Sequence, residues 1–405
     1  MSETVSPPRS AAASPAWLPS VLAALCLAFS LFTLFSWDVF RHATFLGRWP
    51  LFDWHDMHVY FLSSGWVMGE GTLYRQVPSE YPLLPNLLFG AVRMLSNAVP
   101  MVPAGYDRFA FVWVSLMLPL YCFVLHRLVT RYPRPAMLLW LTPTALHFSL
   151  YRYDVLAVIG TLFAVEAIRA DRLRRAALLL GLVTALKGYP LFLLPVFAVY
   201  VWRRRSFGEA LTACVINLAP FAAANLVTLA FSGVEGLLFA YRFHAERWLN
   251  GESTFDAIAY LAGPAIREAL AGMPRLPILL QAACALIAAG FRPRTPPELM
   301  RAFLFVTTAF VSFSVFYSPQ FVLWLVPFVA EWTWPLAAWL VVGTSWVTYA
   351  YFPVAFFRRA RQARVFELSV ALVACFRAVL MLVTAFGRPP AVPAPAPETP
   401  AVDSR

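Results

Sequence analysis

Charge is scarce in this chain and lysine nearly missing. Only 13% of the residues are charged, and Lys187 is the one lysine among 32 cations. Ordinary soluble domains carry about twice that share of charge. With 60% hydrophobic residues and a mean hydropathy of +0.66, the chain has too little polar surface to cover a soluble fold. Cysteine is also thin. The five (Cys26, Cys122, Cys214, Cys284 and Cys375) lie far apart in apolar runs, which excludes a zinc-type spacing and a disulfide framework. No internal repeat of the kind found in transporters is visible. Trp17 to Phe35 is too long for a signal-peptide core and has no cleavage site, so no cleavable leader is expected.

What remains is a succession of apolar runs of membrane-spanning length, each needing about 20 residues to cross as a helix. The expected fold class is an all-α polytopic membrane protein. The net charge of +11 does not point to nucleic acid, because the arginines cluster in short loops between apolar runs. That is where the positive-inside rule puts them.

Residues 1–16 are Ser/Pro/Ala-rich and read as a disordered cytoplasmic tail; residues 388–405 are a Pro/Ala-rich counterpart. Between them, residues 17–387 form the transmembrane domain. Charge alternation gives about twelve spans and two longer outer loops, at 36–107 and 232–275. Within the first loop, Pro82 to Val99 is apolar but must not cross if Arg127, Arg131 and Arg134 are to lie inside. It reads as a juxtamembrane or re-entrant helix. Thirteen arginines from Arg127 to Arg301 then fall in inner loops, against Asp171, Glu209 and Glu298. Arg358, Arg359, Arg361 and Arg364 break the rule by falling outside, either through a misplaced late span or to bind an anion.

The polar residues gather on the outer side. Leu51 to Pro82 holds Asp53, His55, Asp56, His58, Tyr60, Glu70, Glu80 and Tyr81 in an otherwise hydrocarbon-compatible chain. A carboxylate there can take a proton from a hydroxyl acceptor, but Asp53 and Asp56 equally suit the cap of a short helix, and spacing alone favours capping. The two acids with His55 and His58 leave a divalent metal open, although residues so close in sequence often cannot converge on one ion. Lys187 sits near the outer end of a span, where a compact ammonium suits a phosphate or pyrophosphate oxygen. Arg152 and Asp154 share another outer turn and can be a structural ion pair or functional groups. The second outer loop adds His244, Arg247, Glu252 and Ser253. Gln320, with Trp324 and Pro327 behind it, closes the set, unless it merely ends a helix.

Asp56-x-x-x-Tyr60, Gly69 to Tyr74 and Glu80-Tyr81-Pro82 resemble the first-loop signature of the GT-C glycosyltransferases. The similarity is to glycosyltransferase family 87, the polyprenyl-phosphate-mannose-dependent α-mannosyltransferases. Arg152-Tyr153-Asp154, Lys187-Gly188-Tyr189-Pro190, the His244 to Ser253 segment and Ser318-Pro319-Gln320 are similar to later blocks, so the resemblance runs from about Trp17 to Phe386. It implies a GT-C-type bundle in a bacterial-type inner membrane, with its site on the extracytoplasmic face. It also implies an inverting transfer of a sugar, by default mannose, from a polyprenyl phosphate to a lipid- or glycan-linked hydroxyl of the cell envelope. The base maps to Asp56, with Asp53 as rival. The candidate phosphate cations are Lys187, Arg152, Arg247 and either Arg358 or Arg359, with Asp154, His244, Glu252, Gln320, Tyr60 and Tyr81 around them. No cofactor is implied. The Tyr-Pro-Pro of the family is Tyr81-Pro82-Leu83 here. The alternative function, a transporter or flippase of lipid-linked sugars, would ask for ionisable residues at mid-membrane and two related halves.

Overall fold

The computed structural model describes residues 56–99, 105–132, 134–247, 251–331, 335–355 and 363–387. Of the described residues 83% are helical, with no strands among them. The first expected span, both terminal tails, Asp53, His55 and Arg358 to Arg361 lie outside the described residues.

The chain begins with a short helix α1 (Met57–Ser63) and a 3₁₀ turn (Gly65–Met68), followed by α2 (Leu83–Asn97). Thus the Pro82 to Val99 run is helical over Leu83–Asn97, and α2 packs against α3 (Tyr106–Arg131). Then come α4 (Arg134–Trp140), α5 (Pro143–Tyr151), α6 (Asp154–Arg169) and α7 (Leu173–Leu186). A 3₁₀ turn (Tyr189–Leu193) leads into α8 (Leu194–Arg204), α9 (Phe207–Ala245), α10 (Thr254–Ala262) and α11 (Pro264–Ala271). The remainder is α12 (Leu276–Gly290), α13 (Pro296–Ser312), a 3₁₀ turn (Pro319–Leu325), α14 (Val326–Glu331), α15 (Pro335–Tyr349) and α16 (Ala363–Phe386).

Three described helices, α3, α9 and α16, are long and apolar enough to cross a bilayer by length and composition. A fourth span arises if α5 and α6 count as one broken segment, bent by 108°. Several other segments are helices of 11 to 17 residues, too short alone for a full hydrocarbon core. The bend between α5 and α6 falls at Arg152, whose extended backbone (φ −127°, ψ 155°) ends α5 before Asp154 opens α6.

The second expected loop is largely helical, because α9 continues through 39 residues. It is interrupted at Gly233, where φ is +69°. An L-residue resists that conformation, and glycine does not. The carbonyl of Ser232 at this break accepts from Arg75 Nε at 3.0 Å, and Ser232 Oγ donates to the Leu73 carbonyl at 2.7 Å. A break in the helix therefore becomes the anchor of the first loop.

Helices α7 and α9 cross closely at Gly181. A Cβ added there would meet the Asn217 carbonyl oxygen at 2.1 Å, and Asn217 Nδ2 donates to the Ala177 carbonyl at 3.2 Å across the same contact. The neighbour is backbone, which cannot swing aside as a side chain does. Gly181→Val should therefore push α7 off α9 and displace Lys187 at its end. The expected outcome is a loss of folded, detergent-extractable protein in size-exclusion chromatography, with Gly290→Val, which has open space, as the unaffected control.

Candidate functional site

Asp56 stands immediately before α1, where it is the N-cap residue by position, yet its side chain makes no capping hydrogen bond. Its backbone carbonyl accepts from Tyr60 N at 3.0 Å in the ordinary way. The carboxylate instead turns inward, pairs with the Arg152 guanidinium and accepts from the Tyr81 hydroxyl at 3.4 Å. The capping expectation is corrected, since the guanidinium offers a charge-assisted partner stronger than a neutral N–H.

Tyr81 is carried to this point by a pinned loop. Asn86 Nδ2, in the first turn of α2, donates to the carbonyls of Tyr81 at 2.8 Å and Pro82 at 2.9 Å and to the Tyr74 hydroxyl at 3.0 Å. Tyr74 in turn donates to the Tyr81 carbonyl at 2.7 Å. Burial, then Tyr60 and Glu80 nearby, hold the Tyr81 hydroxyl well above the usual tyrosine range. It stays protonated and serves as a donor to Asp56.

Of the two alternatives open for Arg152 and Asp154, the ion pair with each other is not formed. Each takes a partner from elsewhere in the chain. Arg152 goes to Asp56, while Asp154 Oδ2 lies 3.2 Å from Lys187 Nζ. Trp324 Nε1 donates to Asp154 Oδ1 at 2.7 Å, and the Trp324 ring stacks on Tyr189 at 4.4 Å. Lys187 Nζ also sits 4.0 Å from the Tyr153 ring centre, a cation–π position. Asp154 has no exposed surface, so these partners stand where water would otherwise solvate its carboxylate.

Tyr60 forms the wall behind the two pairs. It is fully buried, stacked on Phe89 at 4.3 Å and edge-on to Tyr81 and Tyr153. Along the rim, His244 Nε2 is 2.9 Å from the Glu80 carbonyl, and Arg247 lies 3.7 Å from the Glu80 carboxylate and 4.0 Å over the Phe316 ring. Glu252 is buried just before Ser253, which caps α10 in a reciprocal box with Asp256. Gln320 is buried and accepts from Ser318 Oγ at 2.6 Å, a local role. His58 is exposed against Tyr106. Among the described residues no three His, Cys, Asp or Glu side chains are grouped to hold a metal ion.

One buried cation has no counterpart among the sequence-derived candidates. Arg377, in the apolar stretch of α16, is 1% exposed, donates to Thr254 Oγ1 at 3.0 Å and lies 4.1 Å over the Tyr317 ring. Its signal was readable: an arginine in the middle of a membrane-length apolar run is a functional candidate by default.

The site therefore joins α1, the Glu80–Tyr81 loop, the α5–α6 bend, the end of α7, the end of α9 and the Pro319–Leu325 turn. A family model, glycosyltransferase family 87, matches residues 95–316, more than half of the chain. The chain belongs to glycosyltransferase family 87. The matched span includes Arg152, Asp154, Lys187, His244, Arg247 and Glu252, whereas Asp56, Tyr60 and Tyr81 precede it and Gln320 and Trp324 follow it. No curated protein and no solved structure matches the chain. The protein is thus a GT-C-type membrane glycosyltransferase.

Proposed function

We propose that this family 87 member moves a hexose, mannose in the first instance, from a polyprenyl phosphate to a hydroxyl of a lipid- or glycan-linked acceptor. The transfer would take place at the extracytoplasmic face of a bacterial-type inner membrane. The observation that carries the reading is Asp56: a carboxylate at a helix start that leaves the helix uncapped to meet a buried arginine and a tyrosine hydroxyl.

Asp56 is the general base. Its carboxylate, set between the Arg152 guanidinium and the Tyr81 hydroxyl, is placed to accept a proton. The acceptor oxygen loses that proton to Asp56 as it bonds to the anomeric carbon. The bond from that carbon to the phosphate oxygen breaks on the opposite face, and the phosphate keeps the electron pair. Inversion at the anomeric carbon follows. A phosphate is already a good leaving group and needs cations more than a proton. Arg152, Lys187 and Arg247 supply them once the incoming phosphate competes with Asp56, Asp154 and Glu80 for their charge. The tyrosine-rich wall of Tyr60, Tyr81 and Tyr153 keeps water from intercepting the sugar.

The test is the purified protein with polyprenyl-phosphate mannose and a membrane extract as acceptor source. Stoichiometric release of polyprenyl phosphate with a mannosylated product is expected. Movement of intact donor across a vesicle membrane without release would replace the reading with a flippase.

A further inference from the structure

A cavity of about 440 Å³ lies at the far end of α6 from the transfer site. It is lined by Arg131, Arg169, Arg172 and Arg175 with Phe163 and Glu166. Asp154 opens α6 and Arg169 closes it, so the two places are about 22 Å apart at 1.5 Å per residue. The volume is in the range of small-ligand pockets, roughly 300–1,000 Å³.

The charge in this cavity is unbalanced. Glu166 is already paired with Arg127, and Arg169 with Glu331 at 3.3 Å. Arg131, Arg172 and Arg175 have no ion-pair partner among the described residues. Helix α7 adds a second, independent feature. Its N-cap is Arg172, which makes no side-chain cap, and its first turn contains no acid. The free N–H groups and positive dipole end of a 14-residue helix thus adjoin three unpaired guanidinium groups. The positive-inside rule explains why arginines end these helices. It does not explain why they ring one concavity, nor why cations replace the acids that a helix start favours. An anion satisfies both.

We propose that this cavity is a second site, one that binds a phosphate-bearing anion. The anion is either the headgroup of an anionic phospholipid of the cytoplasmic leaflet or a free phosphate. Guanidinium forks and helix-start N–H groups both match phosphate oxygens. Phe163 gives the rim an apolar side against which the glycerol end of a lipid headgroup packs.

The full-length protein in detergent is titrated with dioctanoyl-phosphatidylglycerol, dioctanoyl-phosphatidylcholine and inorganic phosphate, with the thermal midpoint as readout. Phosphatidylglycerol is expected to raise the midpoint and phosphatidylcholine not to. Arg172→Gln with Arg175→Gln should weaken the response about 30-fold, at the attraction expected for two cations near an anionic headgroup. Ala170→Trp, which fills the cavity from an exposed position on its wall, should abolish it without removing a charge. Asp56→Asn should leave it intact, because the transfer site is at the other end of α6. An equal response to inorganic phosphate that the arginine variant also loses makes the ligand a free anion. Responses that survive both cavity variants, that vanish in Asp56→Asn, or that never appear overturn the proposal.

Discussion

An Asp56→Asn enzyme is expected to transfer sugar about 100- to 10,000-fold more slowly than the native protein, the usual cost of removing a general base. Asparagine keeps the shape and still accepts from Tyr81, but it cannot take a proton at neutral pH. It also removes the Asp56 charge that pairs with Arg152, so lost activity alone does not separate a base from a structural partner. A second substitution does. If Asp56 only neutralises Arg152, then Asp56→Asn combined with Arg152→Gln should transfer no more slowly than Arg152→Gln alone. If Asp56 is the base, the double variant regains thermal stability but transfers about 100- to 10,000-fold more slowly than Arg152→Gln alone. Asp53→Asn is expected to keep transfer within a few-fold if, as proposed, Asp56 is the base. An inactive Asp53→Asn beside an active Asp56→Asn would move the base by three residues. Measurements of product formation and of the thermal midpoint on the same samples decide the matter.

Lys187→Met is expected to be the most destabilising single change at the site. It leaves the Asp154 carboxylate buried with only Trp324 Nε1 to hold it. Losing one member of a buried pair costs about 3–5 kcal/mol, because the orphaned charge has no water to return to. Adding Asp154→Asn should restore most of that stability, since a neutral amide still accepts from Trp324. The double variant should nevertheless transfer poorly, because no ammonium remains for the leaving phosphate. Full activity in a stable double variant would reduce Lys187 to a packing element. Lys187→Arg is informative too. A guanidinium is planar and longer, and the position over Tyr153 at 4.0 Å suits a compact ammonium.

Several parts of the site were visible in the residues alone. Asp56, Glu80 and Tyr81 stood out as polar groups in a chain of hydrocarbon-compatible runs, and Lys187 stood out as a lone lysine among arginines. Their partners did not. Arg152 and Asp154 share a turn, which leaves an ion pair and separate functional roles equally open; the 108° bend between α5 and α6 sends them to Asp56 and Lys187. Arg377 is hard to single out in sequence because the apolar run around it reads as an ordinary span with one cation in it. The break at Gly233 was hidden for a related reason. A single glycine inside an apolar run is common, and only its +69° φ together with Arg75 and Ser232 reveals a designed interruption.

Composition and periodicity by themselves determined that this chain is helical, apolar and set in a membrane. Those properties follow from transfer free energies summed along the chain, which do not depend on who neighbours whom. They also determined that one end of the bundle is rich in arginine. Only the tertiary structure decided the pairings: that Asp56 forsakes its helix for Arg152, that Asp154 holds Lys187 under Trp324, and that the arginines of three helices surround one cavity. Ion pairs and hydrogen bonds form only at contact distances of a few ångströms, and the fold sets those distances where spacing along the chain cannot.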